Sequence, residues 1–160
     1  MTTSEIQISY NPPKVYRPTV NCSADAYELL IQHYPSETIQ LQEHFVIMHL
    51  NRANKAIGIH KLSSGGMTST IADIRILLAV ALKSMATAII LSHNHPSGVL
   101  KPSQADINLT QKIKEAAALL DIELLDHLIV STDGFYSFAQ EGKLDLTHAP
   151  VDESLDAPKV

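Results

Sequence analysis

Two histidines, His93 and His95, sit at the end of an apolar run (Ala88 to Leu91), in a loop punctuated by Pro96 and Gly98. A Ser-x-x-Asp pair, Ser103 and Asp106, follows at the mouth of an amphipathic stretch. On a strand, residues two apart point to the same side, so a short segment here presents two imidazoles together. A His-x-His pair alone does not make a metal site, because hydrogen-bonded histidines in loops are common. The context adds weight: Pro96 and Gly98 stiffen and turn the chain directly after the pair, and Asp106 offers a third, oxygen ligand. That aspartate has a competing structural reading. Ser103 to Asp106 also matches a capping box, with serine at the N-cap and an acid at N3, and an acid in a first turn favours the helix dipole without any metal. The capping reading leaves the two histidines unexplained. Both hold if Ser103 caps while Asp106 turns toward a cation.

Two imidazoles and one carboxylate leave the fourth position of a tetrahedral zinc open, which marks a catalytic rather than a structural site. Water in such a position has a pKa of roughly 7. The chemistry then wants a general base that is not itself a ligand. Glu43, an acid opening an otherwise apolar segment, is the candidate. Its simpler reading is a solvated residue at a strand edge. Glu37 is less attractive because it lies in a polar loop. His44, His49 and His60 are expected to be surface or hydrogen-bonded strand residues. His127 follows Asp126 inside an apolar run, so an Asp-His hydrogen bond supporting the core or orienting the site is expected, not a metal ligand. Cys22 reads as a small apolar filler.

The elements that must position these residues follow from patterning. Residues 1–21, with Pro12, Pro13 and Pro18, form an N-terminal arm, either a short edge strand or an extended segment. Ser23 can cap a helix carrying Ala26, Leu29, Leu30 and His33 on one face, and Pro35 and Ser36 end it. Residues 43–50 and 56–62 read as strands joined by the turn 51–55, a hairpin. Residues 71–86 carry Ile74, Leu77, Leu78, Ala81 and Met85 on a helical stripe. The near-continuous apolar run 87–92 is expected at the centre of the sheet, buried on both faces. Residues 104–120 form the next helix, 122–131 a fourth strand, Thr132-Asp133-Gly134 a turn and 135–138 a short last strand. From about Leu144 the composition turns to Pro, Asp and Ser, so 144–160 is expected to be a flexible tail. Helices between strands argue a single α/β domain over 22–143, a mixed sheet covered on both faces.

Bulk properties narrow the function. At 160 residues the chain can bury one proper core and does not need two domains. The formal charge of −5 weighs against non-specific nucleic-acid binding, which needs a basic footprint. A single cysteine excludes an intrachain disulfide, so a zinc site here relies on imidazole and carboxylate. No basic-then-apolar leader and no apolar run of about 18 residues is present, so a cytoplasmic protein with no membrane partner is expected.

The Glu43, His93-x-His95, Ser103, Asp106 pattern resembles the JAMM (MPN-plus) metalloprotease motif. HNHPSG at 93–98, PSQAD at 102–106, DIELLDHLIV at 121–130 and YSFAQEG at 136–142 narrow the resemblance to the JAB domain of RadC-like proteins, from about Cys22 to Gly142. The resemblance implies that His93, His95 and Asp106 bind Zn2+. It also implies that Glu43 activates the water and that Ser103 donates to the developing oxyanion or helps hold the water. It implies a JAB/MPN fold, a curved mixed sheet flanked by helices that resembles the cytidine deaminases. The substrate would be a peptide or isopeptide. The deaminase signature, H-x-E with a later P-C-x-x-C, is absent. Full-length RadC proteins carry an extra N-terminal helix-hairpin-helix region for which this chain has no room, and it resembles the shorter versions on mobile elements. Asp73-Ile74-Arg75 stands where longer relatives have Pro-Arg-Glu. The family name implies DNA repair, which nothing else in the sequence supports. Two rival classes are a nucleic-acid-associated module, with Lys14, Arg17 and Arg52 as its basic stripe, and a silent protein-interaction scaffold. The oligomeric state is not legible.

Overall fold

A computed structural model describes residues 17–65 and 72–144. Most of the expected N-terminal arm, all but the first residue of the expected tail, and Lys14 of the suggested basic stripe lie outside those residues. The described elements are α1 (Ser23–Ile31), β1 (His44–Leu50), β2 (Ala56–Ser64), α2 (Ile74–Lys83), β3 (Ala88–Asn94), α3 (Gln104–Ala118), β4 (Glu123–Ser131) and β5 (Gly134–Ser137). They build one five-stranded mixed sheet in the order β2-β1-β3-β4-β5. The hairpin turn between β1 and β2 is held by the Asn51 carboxamide, which accepts from the backbone N–H groups of Ala53 and Lys55. β1 lies antiparallel to both β2 and β3. β3 and β4 are parallel, as their connection through α3 allows, and β5 returns antiparallel on β4. Every residue of β3 is buried, as the apolar run Ala88 to Leu91 predicts for a central strand.

Strand alternation divides the core between two faces. Val46, Met48, Leu50, Ile90, Leu128 and Val130 pack with Ala26 and Leu30 of α1. Phe45, Ile47, Ile89 and Leu91 pack with Leu77 and Ala81 of α2 and with Ile113 and Ala117 of α3. A bulge in β4 adjusts that alternation. Leu124 pairs with Ile89, but Asp126, not Leu125, pairs with Ile90. The extra residue keeps Asp126 on the α1 face and His127 on the α3 face; a regular ladder would exchange them.

α1 starts differently from its sequence pattern. Its N-cap is Cys22, and Ser23 is the first helical residue. The Ser23 hydroxyl donates instead to Asp126 Oδ2 at 2.8 Å. Asp126 is buried and accepts three further hydrogen bonds, from the Ser137 hydroxyl and from the backbone N–H groups of His127 and Ala139. A buried carboxylate needs such donors, and that need outranks a cap.

Of the hairpin histidines, His44 is the hydrogen-bonded strand residue expected, and His49 and His60 differ. His44 and His49 are buried, because helices or neighbouring strands cover β1 on all sides. His44 is paired, through Thr38 and Ser64. Among the described residues, neither ring nitrogen of His49 has a hydrogen-bond partner, and nor does Nδ1 of His60, which lies beside it at 6.4 Å between ring centroids. Burial, with a smaller contribution from His60, pushes the His49 pKa down to about 4. The unfolded chain therefore takes up this proton first as pH falls below about 6.5. Stability from neutral His49 is complete above that pH and declines toward pH 4, by roughly 3 kcal/mol. We expect chemical-denaturation midpoints to fall over this window in the wild type and to flatten in His49→Phe; matching profiles would remove His49 as the cause. Among the described residues, no helix is long and apolar enough to cross a membrane.

Candidate metal centre

His93 lies at the C-terminal end of the central strand with its ring on the α3 face, and it is 1% exposed. Phe45, its antiparallel partner on β1, stacks on the ring almost in parallel, at 6.0 Å and 5°. His95 follows just past the strand. Gly98 supplies a left-handed φ of 74°, and its N–H donates to the His95 carbonyl at 2.8 Å. This turn brings the Val99 carbonyl within 2.8 Å of His95 Nδ1. A carbonyl can only accept, so Nδ1 carries the proton and Nε2 faces the site.

Asp106 reaches the same point from the first turn of α3. The capping box is present in full: Ser103 Oγ accepts from Asp106 N–H, and Ser103 N–H donates to Asp106 Oδ2 at 2.7 Å. The Ser103 hydroxyl also donates to Oδ2, at 2.7 Å. The cap does not turn the carboxylate away from the histidines: Oδ2 is held by the cap, and Oδ1 is turned to His93 at 3.3 Å. Burial alone would raise the Asp106 pKa, but His93, His95 and Ser103 hold its carboxyl far below the usual range. The same contact with Asp106 is the main cause of a raised His95 pKa, which burial opposes.

The three side chains offer one ligand atom each within 4.8 Å of one another. His93 Nε2 is 3.0 Å from His95 Nε2 and 3.3 Å from Asp106 Oδ1, and His95 Nε2 is 3.4 Å from Asp106 Oδ2. A tetrahedron with bonds of about 2.0–2.1 Å has edges of about 3.4 Å. The two histidines thus face different oxygens of Asp106, and one carboxylate oxygen brought to both would close a site for a small divalent cation.

Glu43 is the residue just before β1, not the first of the strand as its pattern suggests. The β1–β3 ladder ends at Phe45 and His93, and Glu43, like His95, lies beyond that end. Its charge reaches His95, contributing to the raised pKa there, and its carbonyl accepts from Gly65 N–H at 2.8 Å. A cleft of about 490 Å³ is lined by His95 together with Pro96, Ser97, Gln40 and Thr132.

Two residues were not assigned roles from sequence. Asn94, between the histidines, is fully buried on the opposite face. Its Oδ1 accepts from His44 N–H at 2.7 Å, and its Nδ2 donates to the carbonyls of Ile39 and Gln42. It pins the segment that carries Glu43 to the strand that carries His93. Period-two alternation is the signal: a polar residue inside a two-sided buried strand needs partners. The other is Thr110, one turn after Asp106. Its hydroxyl donates to the Asp106 carbonyl and lies 2.6 Å from His127 Nδ1. His127 Nε2 in turn lies 2.8 Å from His93 Nδ1. The expected Asp126–His127 bond is made only by the His127 backbone, because neighbouring strand side chains point to opposite faces. Burial, together with repulsion from His93, lowers the His127 pKa well below the ordinary value, so the ring is neutral.

A family model described as RadC-like JAB domain matches residues 20–143. The chain is 49% identical over 100 residues to a UPF0758 protein of Flavobacterium johnsoniae, covering 62% of this chain and 44% of that protein. It is 48% identical over 104 residues to a UPF0758 protein of Porphyromonas gingivalis, covering 64% and 46%. A UPF0758 protein of Streptococcus gordonii is 47% identical over 103 residues, covering 64% and 46%. The matched region is a little under half the length of these relatives.

Proposed function

The chain belongs to the RadC-like JAB domain family, and from that premise we propose that it is a zinc-dependent hydrolase of the JAMM type, cutting a peptide or isopeptide bond. One observation carries the reading: His93, His95 and Asp106 each bring a ligand atom within 4.8 Å of the other two. Two nitrogens and one oxygen suit zinc, with a fourth position left over. Bound there, zinc lowers the pKa of a water to roughly 7 and polarises a carbonyl oxygen.

The protein's own groups do the rest. Glu43, just before β1 and outside the ligand set, takes the water's proton and later passes it to the leaving amine. Ser103 donates to the developing oxyanion by turning its hydroxyl away from Asp106 Oδ2. That oxygen keeps a partner, because the Ser103 backbone N–H also donates to it. The cleft beside His95 gives an extended chain a place to lie next to the reacting atoms.

Metal analysis of the purified protein tests the ligand set. Wild type should hold about one zinc, and His93→Ala, His95→Ala and Asp106→Ala should each lose most of it while melting as folded proteins. Full occupancy in all three variants would sink the assignment. Screening the zinc-loaded protein against peptide, isopeptide and nucleic-acid substrates then identifies the bond. Cleavage of nucleic acid alone would replace the peptidase reading.

A further inference from the structure

We propose that His127 and Thr110 are positioning residues that set the tautomer of His93, so that its Nε2 lone pair faces the metal. This rests on the metal reading above. The argument is a proton count along one hydrogen-bonded line. The Thr110 hydroxyl is 2.6 Å from the Asp106 carbonyl, which can only accept, so Thr110 spends its single proton there. Its oxygen must then accept from its other partner, His127 Nδ1, also at 2.6 Å. His127 is completely buried, its ring partners are Thr110 and His93, and neither is an anion. A neutral imidazole protonated at Nδ1 carries a lone pair at Nε2. His93 Nδ1, 2.8 Å away, therefore supplies the hydrogen to that lone pair. With its proton committed to Nδ1, His93 leaves Nε2 bare toward His95 and Asp106.

The line starts and ends on the site. It begins at the backbone of one ligand, Asp106, and finishes on the ring of another, His93. Stacking holds both rings in plane: Phe138 lies over His127 at 4.8 Å and 16°, and Phe45 over His93. A ring that cannot turn cannot exchange its two nitrogens, so the proton position is set by Thr110. The arrangement matches the way buried acceptors orient metal-binding histidines.

Thr110→Val removes both the donor to Asp106 and the acceptor for His127. His127 then loses its reason to carry a proton at Nδ1, and His93 loses its acceptor. Thr110→Ser keeps both functions. Nitrogen NMR of the metal-free protein should find His93 protonated at Nδ1 in wild type and Thr110→Ser, and at Nε2 to a substantial extent in Thr110→Val. Zinc titration should give affinities within a few-fold for wild type and Thr110→Ser, and about 10–100-fold weaker for Thr110→Val. A wild-type His93 protonated at Nε2 overturns the proposal, and this holds even if Thr110→Val does not fold. So does a Thr110→Val protein that binds zinc more weakly with the His93 tautomer unchanged, since the loss is then one of packing. So does unchanged affinity in that variant. Failure of wild type to bind zinc would instead overturn the metal reading, while the tautomer measurement still decides the proton line.

Discussion

Glu43→Gln is expected to keep the wild-type zinc content and to lose about 10²–10⁴ in turnover. Glutamine preserves the length and polarity of the side chain, so hydrogen bonding near His95 is largely retained. What it loses is the ability to accept a proton from water. The three ligand atoms come from β3, its following loop and α3, none of which Glu43 belongs to. The metal should therefore stay. A smaller effect is expected at His95, whose raised pKa depends in part on the Glu43 charge, so the metal-free variant should titrate His95 at lower pH. Two measurements decide the case: metal content and single-turnover rate on whichever substrate the wild type cleaves. Unchanged turnover removes Glu43 as the base. Lost zinc makes it a ligand or a structural support instead.

The second large effect is expected at Asn94, a residue that touches neither metal nor substrate in this scheme. Asn94→Ala strands one N–H, on His44, and two carbonyls, on Ile39 and Gln42. Each buried polar group left without a partner costs about 1–3 kcal/mol. A total loss on the order of 3–5 kcal/mol is expected, which lowers the Tm by roughly 10 °C or more. The functional consequence is separable from the loss of stability. His93 stays on β3 and His95 in the turn held by Gly98, so zinc binding at low temperature should survive. The 39–43 segment is released from the strand, so Glu43 loses its fixed position and turnover should fall. A melting temperature within a degree or two of wild type would show that water replaces the carboxamide. Turnover intact in a folded variant would show that Glu43 is held by other means.

The frame of the site was legible from residue spacing because each part of it has a short-range signature. The apolar run before His93 marks a central strand, and Ser103 to Asp106 marks a helix start. The antiparallel hairpin was legible too, so Glu43 could be put near the sheet. What was not legible depends on partners far apart in sequence. His49 and His60 look like ordinary strand residues until the cover over β1 leaves their nitrogens without partners. His127 looks bound to Asp126 because the two are adjacent. The pleat alone sends adjacent residues to different faces; the bulge at Leu125 decides which face each takes, and no local pattern announces a bulge. Ser23 reads as a cap because the need it answers, a buried carboxylate, arises more than a hundred residues later. Thr110 is invisible for the same reason, since a threonine in a helix is unremarked until a buried imidazole lies against it. Metal ligands declare themselves by type and spacing. The groups that orient them do not.

The hydroxyls of Ser23, at the start of α1, and Ser137, at the end of β5, lie 3.2 Å apart over the Asp126 carboxylate. The first helix and the last strand are thus fastened to one buried carboxylate, while the chain runs on to Leu144, which packs on the α2/α3 face. A carboxylate that accepts from both limits how far either end can be cut back. A piece trimmed past Ser23 or short of Ala139 leaves a buried carboxylate short of donors.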